Sequence, residues 1–94
     1  MQNILVTGAS GFIGTHLSSK LIEEAKYNII RTNRSFGDIT NPGTWNNFPK
    51  SEIVIHLAGL TFVPDSWNNP TSFINTNVVG TMMALNYCKK HYLL

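Results

Sequence analysis

The chain is short of charge, of cysteine and of long apolar runs, and each shortage excludes something. Asp, Glu, Lys and Arg make up 13% of its 94 residues, about half the usual ~25% share. Apolar residues stand at 43%, an ordinary figure, so the chain is globular rather than disordered and its surface leans on Asn, Ser and Thr. The net charge is only +2, from 7 basic and 5 acidic residues. The cations Lys20, Lys26, Arg31, Arg34, Lys50, Lys89 and Lys90 are scattered. Without a basic stripe, nucleic acid is not an expected partner. The one cysteine, Cys88, forbids an internal disulfide. It leaves the compartment open, with the cytoplasm the simpler expectation. His16, His56 and His91 lie far apart without metal-ligand spacing, so no metal site is expected. No apolar run approaches the ~18 residues of a membrane span. The opening MQNILVTG lacks the basic and apolar regions of a secretory leader. Ninety-four residues hold one domain or part of one.

What is present alternates in type. Asn3–Thr7, NILVT, is a short β-rich apolar run that ends at Gly8. From Phe12 to Ala25, residues Ile13, Leu17, Leu21 and Ala25 recur every four, with Ile22 alongside, which predicts a one-striped helix. Asn28-Ile29-Ile30 predicts a second strand, and Gly37-Asp38-Ile39 a very short third. Asn41-Pro42 and Asn69-Pro70 each combine a capping Asn with a first-turn Pro, the start of a helix. Glu52–Leu57, EIVIHL, predicts a strand covered on both faces. Residues 60–69 read as a loop around Pro64-Asp65-Ser66-Trp67. The last helix then shows Ile74, Val78, Thr81, Leu85, Cys88 and Tyr92 at helical spacing, predicting the buried stripe. Strands alternating with helices predict an α/β fold, a Rossmann-type parallel sheet in the order 3-2-1-4.

The chemistry concentrates where the first strand turns into the first helix, at Thr7-Gly8-Ala9-Ser10-Gly11-Phe12-Ile13-Gly14. Strand, glycine turn and helix start in succession make an anion site. Gly8 permits the tight turn, Gly11 admits a pyrophosphate against the backbone, and Gly14 lets the helix pack closely. The amides at the helix start, around Phe12 and Ile13, then face the anion, aided by the helix dipole. The Ser10 hydroxyl serves either a phosphate or the turn itself. The spacing G-x-x-G-x-x-G matches neither the G-x-G-x-x-G fingerprint nor a phosphate loop.

These residues resemble a known family. TGASGFIG is similar to the cofactor turn of the extended short-chain dehydrogenase/reductases, the NAD-dependent epimerase/dehydratase group. GDIT (Gly37–Thr40), HLAG (His56–Gly59) and NVVGT (Asn77–Thr81) follow in the order that family shows. The resemblance implies that Asp38 and Ile39 border the adenine. It implies that Leu57, Ala58 and Gly59 border the nicotinamide ribose, and that Asn77 supports the active-site backbone. Within the family, the Ser66–Pro70 stretch resembles GDP-sugar 4,6-dehydratases and GDP-4-keto-6-deoxymannose reductases, implying a nucleotide-sugar substrate for the full-length protein. Phe62 and Trp67 are then candidates for shaping that substrate's pocket or for packing the loop.

The cofactor can be narrowed. NAD sites usually carry an acid about 20 residues beyond the glycines. Here that position is Thr32-Asn33, and no acid lies between Ala25 and Gly37. Arg31 and Arg34 flank it instead, and Arg34 is a candidate for a 2′-phosphate. NADP is therefore expected over NAD, unless both arginines are merely solvated. Catalytic residues are missing. The family's chemistry needs Tyr-x-x-x-Lys, but Tyr27 is followed at +4 by Arg31, Tyr87 by His91, and Tyr92 by nothing. His56 reads as a buried, hydrogen-bonded histidine rather than a base. The expectation is that residues 1–94 form the N-terminal portion of an NAD(P)-binding domain, cut before its fifth strand. An open edge at Ile53–Leu57 then predicts a homodimer or other association.

Overall fold

A computed structural model describes residues 1–59 and 67–91. Its centre is β1 (Asn3–Thr7), with β2 (Asn28–Arg31) on one side and β3 (Ile53–His56) on the other. Both pairings are parallel, with Leu5 opposite Ile30 in one and Val54 in the other. The order is thus β2-β1-β3. Alternation along β1 sends Leu5 to one face and Ile4 and Val6 to the other. Helix α1 (Phe12–Glu24) covers the Ile4/Val6 face through Leu21. Helices α2 (Pro42–Asn46) and α4 (Gly80–Lys90) cover the Leu5 face with Trp45, Ala84 and Tyr87, joined by Phe48 just after α2. Between β3 and α4 lie α3 (Pro70–Ile74) and a π-helical turn, Asn75–Val79.

Both capping expectations hold. The Asn41 side chain accepts from Gly43 N at 2.9 Å, and that of Asn69 from Ser72 N at 3.3 Å. Each is followed by Pro at the helix start.

The order 3-2-1-4 is corrected, because Gly37–Ile39 is not a strand among the described residues and the sheet has three. Local bonds take the groups a ladder would use. Gly37 sits at φ +125°. Asp38 Oδ1 accepts from both the amide and the hydroxyl of Thr40, and Asp38 O accepts from Asn41 N. Ile39 O accepts from Trp45 Nε1 at 2.8 Å. The segment curls into an aspartate turn.

The stripe expected on the last helix is corrected too. Ile74, Val78, Thr81 and Leu85 are exposed, while Gly80, Ala84 and Tyr87 are buried. A β-carbon on Gly80 would stand 2.5 Å from Ile39 Cδ1. At Gly80 the helix lies so close to Ile39 that a side chain would not fit, and the inward face continues through Ala84 to Tyr87. Cys88 is half-buried, and Tyr92 lies outside the described residues. On α1, Ile13 is exposed, and Ala25 is the left-handed residue that ends the helix. No helix among the described residues is long and apolar enough to cross a membrane.

Candidate functional site

The carboxyl ends of all three strands open onto one cleft of about 330 Å³. In parallel α/β sheets this is the end where ligands bind. Its first wall is the glycine turn. Gly8 has φ +64°, and a β-carbon there would stand 2.7 Å from Ala58 N. The turn thus lies directly on the chain leaving β3. A β-carbon on Gly14 would run into Gly8 O and Ala9 Cα, so the first turn of α1 rests on the glycine turn. Gly11 differs: the nearest atom to its added β-carbon is Gly8 O at 3.4 Å, leaving its outer face open. Gly11 also stands at the N-cap of α1, and among the described residues no side chain bonds to the helix's leading amides. Those amides and the helix dipole are available to an anion.

The second wall follows β2. Thr32, buried, bonds through its amide and hydroxyl to Val6 O, and its own carbonyl accepts from Ala9 N at 3.0 Å. Asn33 Nδ2 donates to Ser10 Oγ at 2.9 Å, and Asn33 Oδ1 accepts from Ser35 N. Arg34 and Asp38 follow on the same rim. The Thr40 amide and hydroxyl hold the Asp38 carboxyl below its ordinary pKa, with a smaller effect from Arg34.

The third wall is Leu57, Ala58 and Gly59. Thr7 Oγ1 accepts from Leu57 N at 3.1 Å and Ala58 N at 3.2 Å, and His56 Nδ1 lies 2.7 Å from the same oxygen. Burial pushes the His56 pKa down. Asn77 comes close from the π-turn, its Oδ1 2.9 Å from where a Gly59 β-carbon would be.

Of the residues singled out from the sequence, Gly8, Ser10, Gly11, Arg34, Asp38, Ile39, Leu57, Ala58 and Gly59 line this cleft together. Phe12, Ile13, Gly14 and Asn77 stand outside its lining, with Phe12 and Ile13 exposed. Arg31 is an exposed residue of β2 away from the cleft. Thr7, Thr32, Asn33, Gly37, Phe48 and Thr76 also line it and were not among the candidates. Thr32 and Asn33 fall where the missing acid would stand, a signal that could have found them. Phe48 and Thr76 carry no such signal. Trp67 is exposed, and Phe62 and Ser66 lie outside the described residues.

Known proteins share this architecture. The model of the NAD dependent epimerase/dehydratase family matches residues 4–93. GDP-6-deoxy-D-talose 4-dehydrogenase of Aggregatibacter actinomycetemcomitans is 42% identical over 84 residues, 85% of this chain and 28% of that protein. GDP-6-deoxy-D-mannose reductase of Pseudomonas aeruginosa is 33% identical, over 94% of this chain and 30% of that protein. The solved structure of RMD from Pseudomonas aeruginosa complexed with NADPH superposes with a TM-score of 0.73 at 31% identity, over 97% of this chain and 32% of that one. The chain thus spans about a third of the length of these relatives.

Proposed function

From the premise that the chain belongs to the NAD dependent epimerase/dehydratase family, we propose that it is the dinucleotide-binding N-terminal part of a nucleotide-sugar epimerase, dehydratase or reductase. One observation carries this: a single cleft joins the glycine turn, Gly11 at the N-cap of α1 and the ends of all three strands. The chain's residues fit the group. The α1 amides and Ser10 suit a pyrophosphate, Asp38 and Ile39 the adenine side, and Leu57–Gly59 the nicotinamide ribose. Phe12, Ile13 and Gly14 contribute backbone rather than side chains, and Asn77 braces Gly59 from behind. A bound nicotinamide supplies hydride chemistry; this chain's own part is to bind and orient it.

NADP is proposed over NAD. Asn33 and Arg34 occupy the rim where an acid would repel a 2′-phosphate, and Arg34 offers paired charged hydrogen bonds to one. NADPH in the RMD structure supports the same reading. The GDP-linked relatives favour a GDP-sugar as substrate of the longer protein. The simplest setting remains the cytoplasm, given one cysteine. Association is proposed through the free edge of β3, beyond which no strand pairs among the described residues.

Calorimetry of the 94-residue chain with NADP⁺ and NAD⁺ tests the binding. Saturable binding with NADP⁺ preferred is the expected result, and heats of dilution alone for both overturn it. A second reading, a dinucleotide-binding module without catalysis, is favoured by the lack of any Tyr-x-x-x-Lys in these 94 residues. Turnover of a 4-keto-sugar nucleotide with NADPH by this chain alone would overturn that reading.

A further inference from the structure

Thr7 Oγ1 is surrounded by three nitrogens: Leu57 N, Ala58 N and His56 Nδ1. A hydroxyl has two acceptor lone pairs and one proton. The two amides can only donate, so they occupy both lone pairs. The Thr7 proton must therefore go to His56 Nδ1, which has to be bare. The imidazole is then neutral with its proton on Nε2, a buried nitrogen with no partner among the described residues. The opposite tautomer is worse. It would set three donors on two lone pairs and strand the proton of a fully buried hydroxyl, and Nε2 would still lack a partner.

We propose that His56 is a positioning residue: as the Nε2–H tautomer it accepts the Thr7 proton, and so keeps both Thr7 lone pairs on the amides that form the Leu57–Gly59 wall. The two amides depend on this unequally. Leu57 N is shared with the Thr7 carbonyl at 3.2 Å, whereas Ala58 N has only the hydroxyl among the described residues. A proton added at Nδ1 would compete for the hydroxyl's lone pairs and orphan its hydrogen. The wall beside Gly8 would then lose its anchor.

Among the described residues, no charged group pairs with His56. Strands β1 and β3 otherwise carry no titratable side chain, and neither does α2. On α4, the Tyr87 hydroxyl is committed to Ser51 N and Pro49 O. Cys88, Lys89 and Lys90 are the other titratable groups of that helix's last turn, and burial displaces the His56 equilibrium downward. Among the described residues, the ring that packs near it is neutral Trp45, 6.1 Å away between centroids.

The test is nitrogen-15 NMR on the 94-residue chain. Expected are a protonated Nε2 and a bare Nδ1. On acidification, the Ala58 amide signal should move in step with His56. Thr7→Val should speed hydrogen exchange at the Ala58 amide by about tenfold or more, and Thr7→Ser should restore it. A proton on Nδ1, or a His56 titration that leaves Ala58 unmoved, overturns the proposal, and neither readout needs a variant to fold. Coupling to the ligand rests on the dinucleotide reading: Thr7→Val should weaken NADP⁺ about tenfold, and Thr7→Ser should not. If the wild-type chain shows the tautomer and the coupled titration yet binds no dinucleotide, the clasp stands and only the dinucleotide reading fails.

Discussion

Asn33 reaches back 23 residues to donate to Ser10, tying the exit of β2 to the glycine turn at 2.9 Å. The same side chain accepts from Ser35 N, so one amide group shapes the rim next to Arg34. Asn33→Asp would lose the donor and place a negative charge there. The ratio of NADP⁺ to NAD⁺ affinity should fall by at least about tenfold, ~1.4 kcal/mol. Arg34→Ala should weaken NADP⁺ and spare NAD⁺. Calorimetry of the two variants with both dinucleotides measures this.

Gly14 and Gly11 should separate stability from binding. Gly14→Ala forces a methyl group against Gly8 O and Ala9 Cα, and should destabilise the fold by about 1–3 kcal/mol. Gly11→Ala meets only an ordinary contact at 3.4 Å. It should leave the urea midpoint nearly unchanged but obstruct the anion and weaken dinucleotide binding. Denaturation curves and binding isotherms on both variants decide it.

Tyr87 should matter through one oxygen. Its hydroxyl accepts from Ser51 N and donates to Pro49 O, both at 3.0 Å, and Ser51 is fully buried. Tyr87→Phe keeps the ring but strands that amide, costing about 1–3 kcal/mol. Thermal melts report the loss.

Acidification should destabilise the fold through His56. Its pKa is lowered in the folded state by burial, so on going down in pH the unfolded chain takes up the proton first. Stability is therefore full above the ordinary value of 6.5 and declines below it. Urea titrations should show lower stability at about pH 5.5 than at about pH 7.5. His56→Gln, whose side-chain carbonyl can still accept from Thr7, should flatten that slope. Asp38, whose pKa is also lowered, adds a further loss only near and below 3.8.

The glycine turn, the strand before it and both Asn-Pro helix starts were legible because local rules decide them. Gly8 needs its positive φ, and Asn41 and Asn69 cap within three residues of themselves. The missing third strand was not legible. Gly37-Asp38-Ile39 looks extended until Thr40 and Trp45 claim its acceptors. The last helix misled for a different reason. Hydrophobic spacing assumes that the exposed-looking positions are the small ones, but close approach to Ile39 requires Gly80 there, and the core face runs on through Ala84 and Tyr87. Thr76 in the cleft depends on how the π-turn brings its helix past Gly59, a geometry that leaves no mark in residue type.

The two tryptophans could hardly be more differently placed. Trp45 is 4% exposed, wedged among Phe48, Tyr87 and His56, while Trp67 is 85% exposed. The chain therefore carries two optical reporters with separate assignments. A water-soluble quencher will extinguish Trp67 and spare Trp45, so the residual, blue-shifted emission comes from the interior alone. Because Trp45 stands beside His56, that emission is an unlabelled fluorescent record of the imidazole's charge and of the integrity of the packing around it.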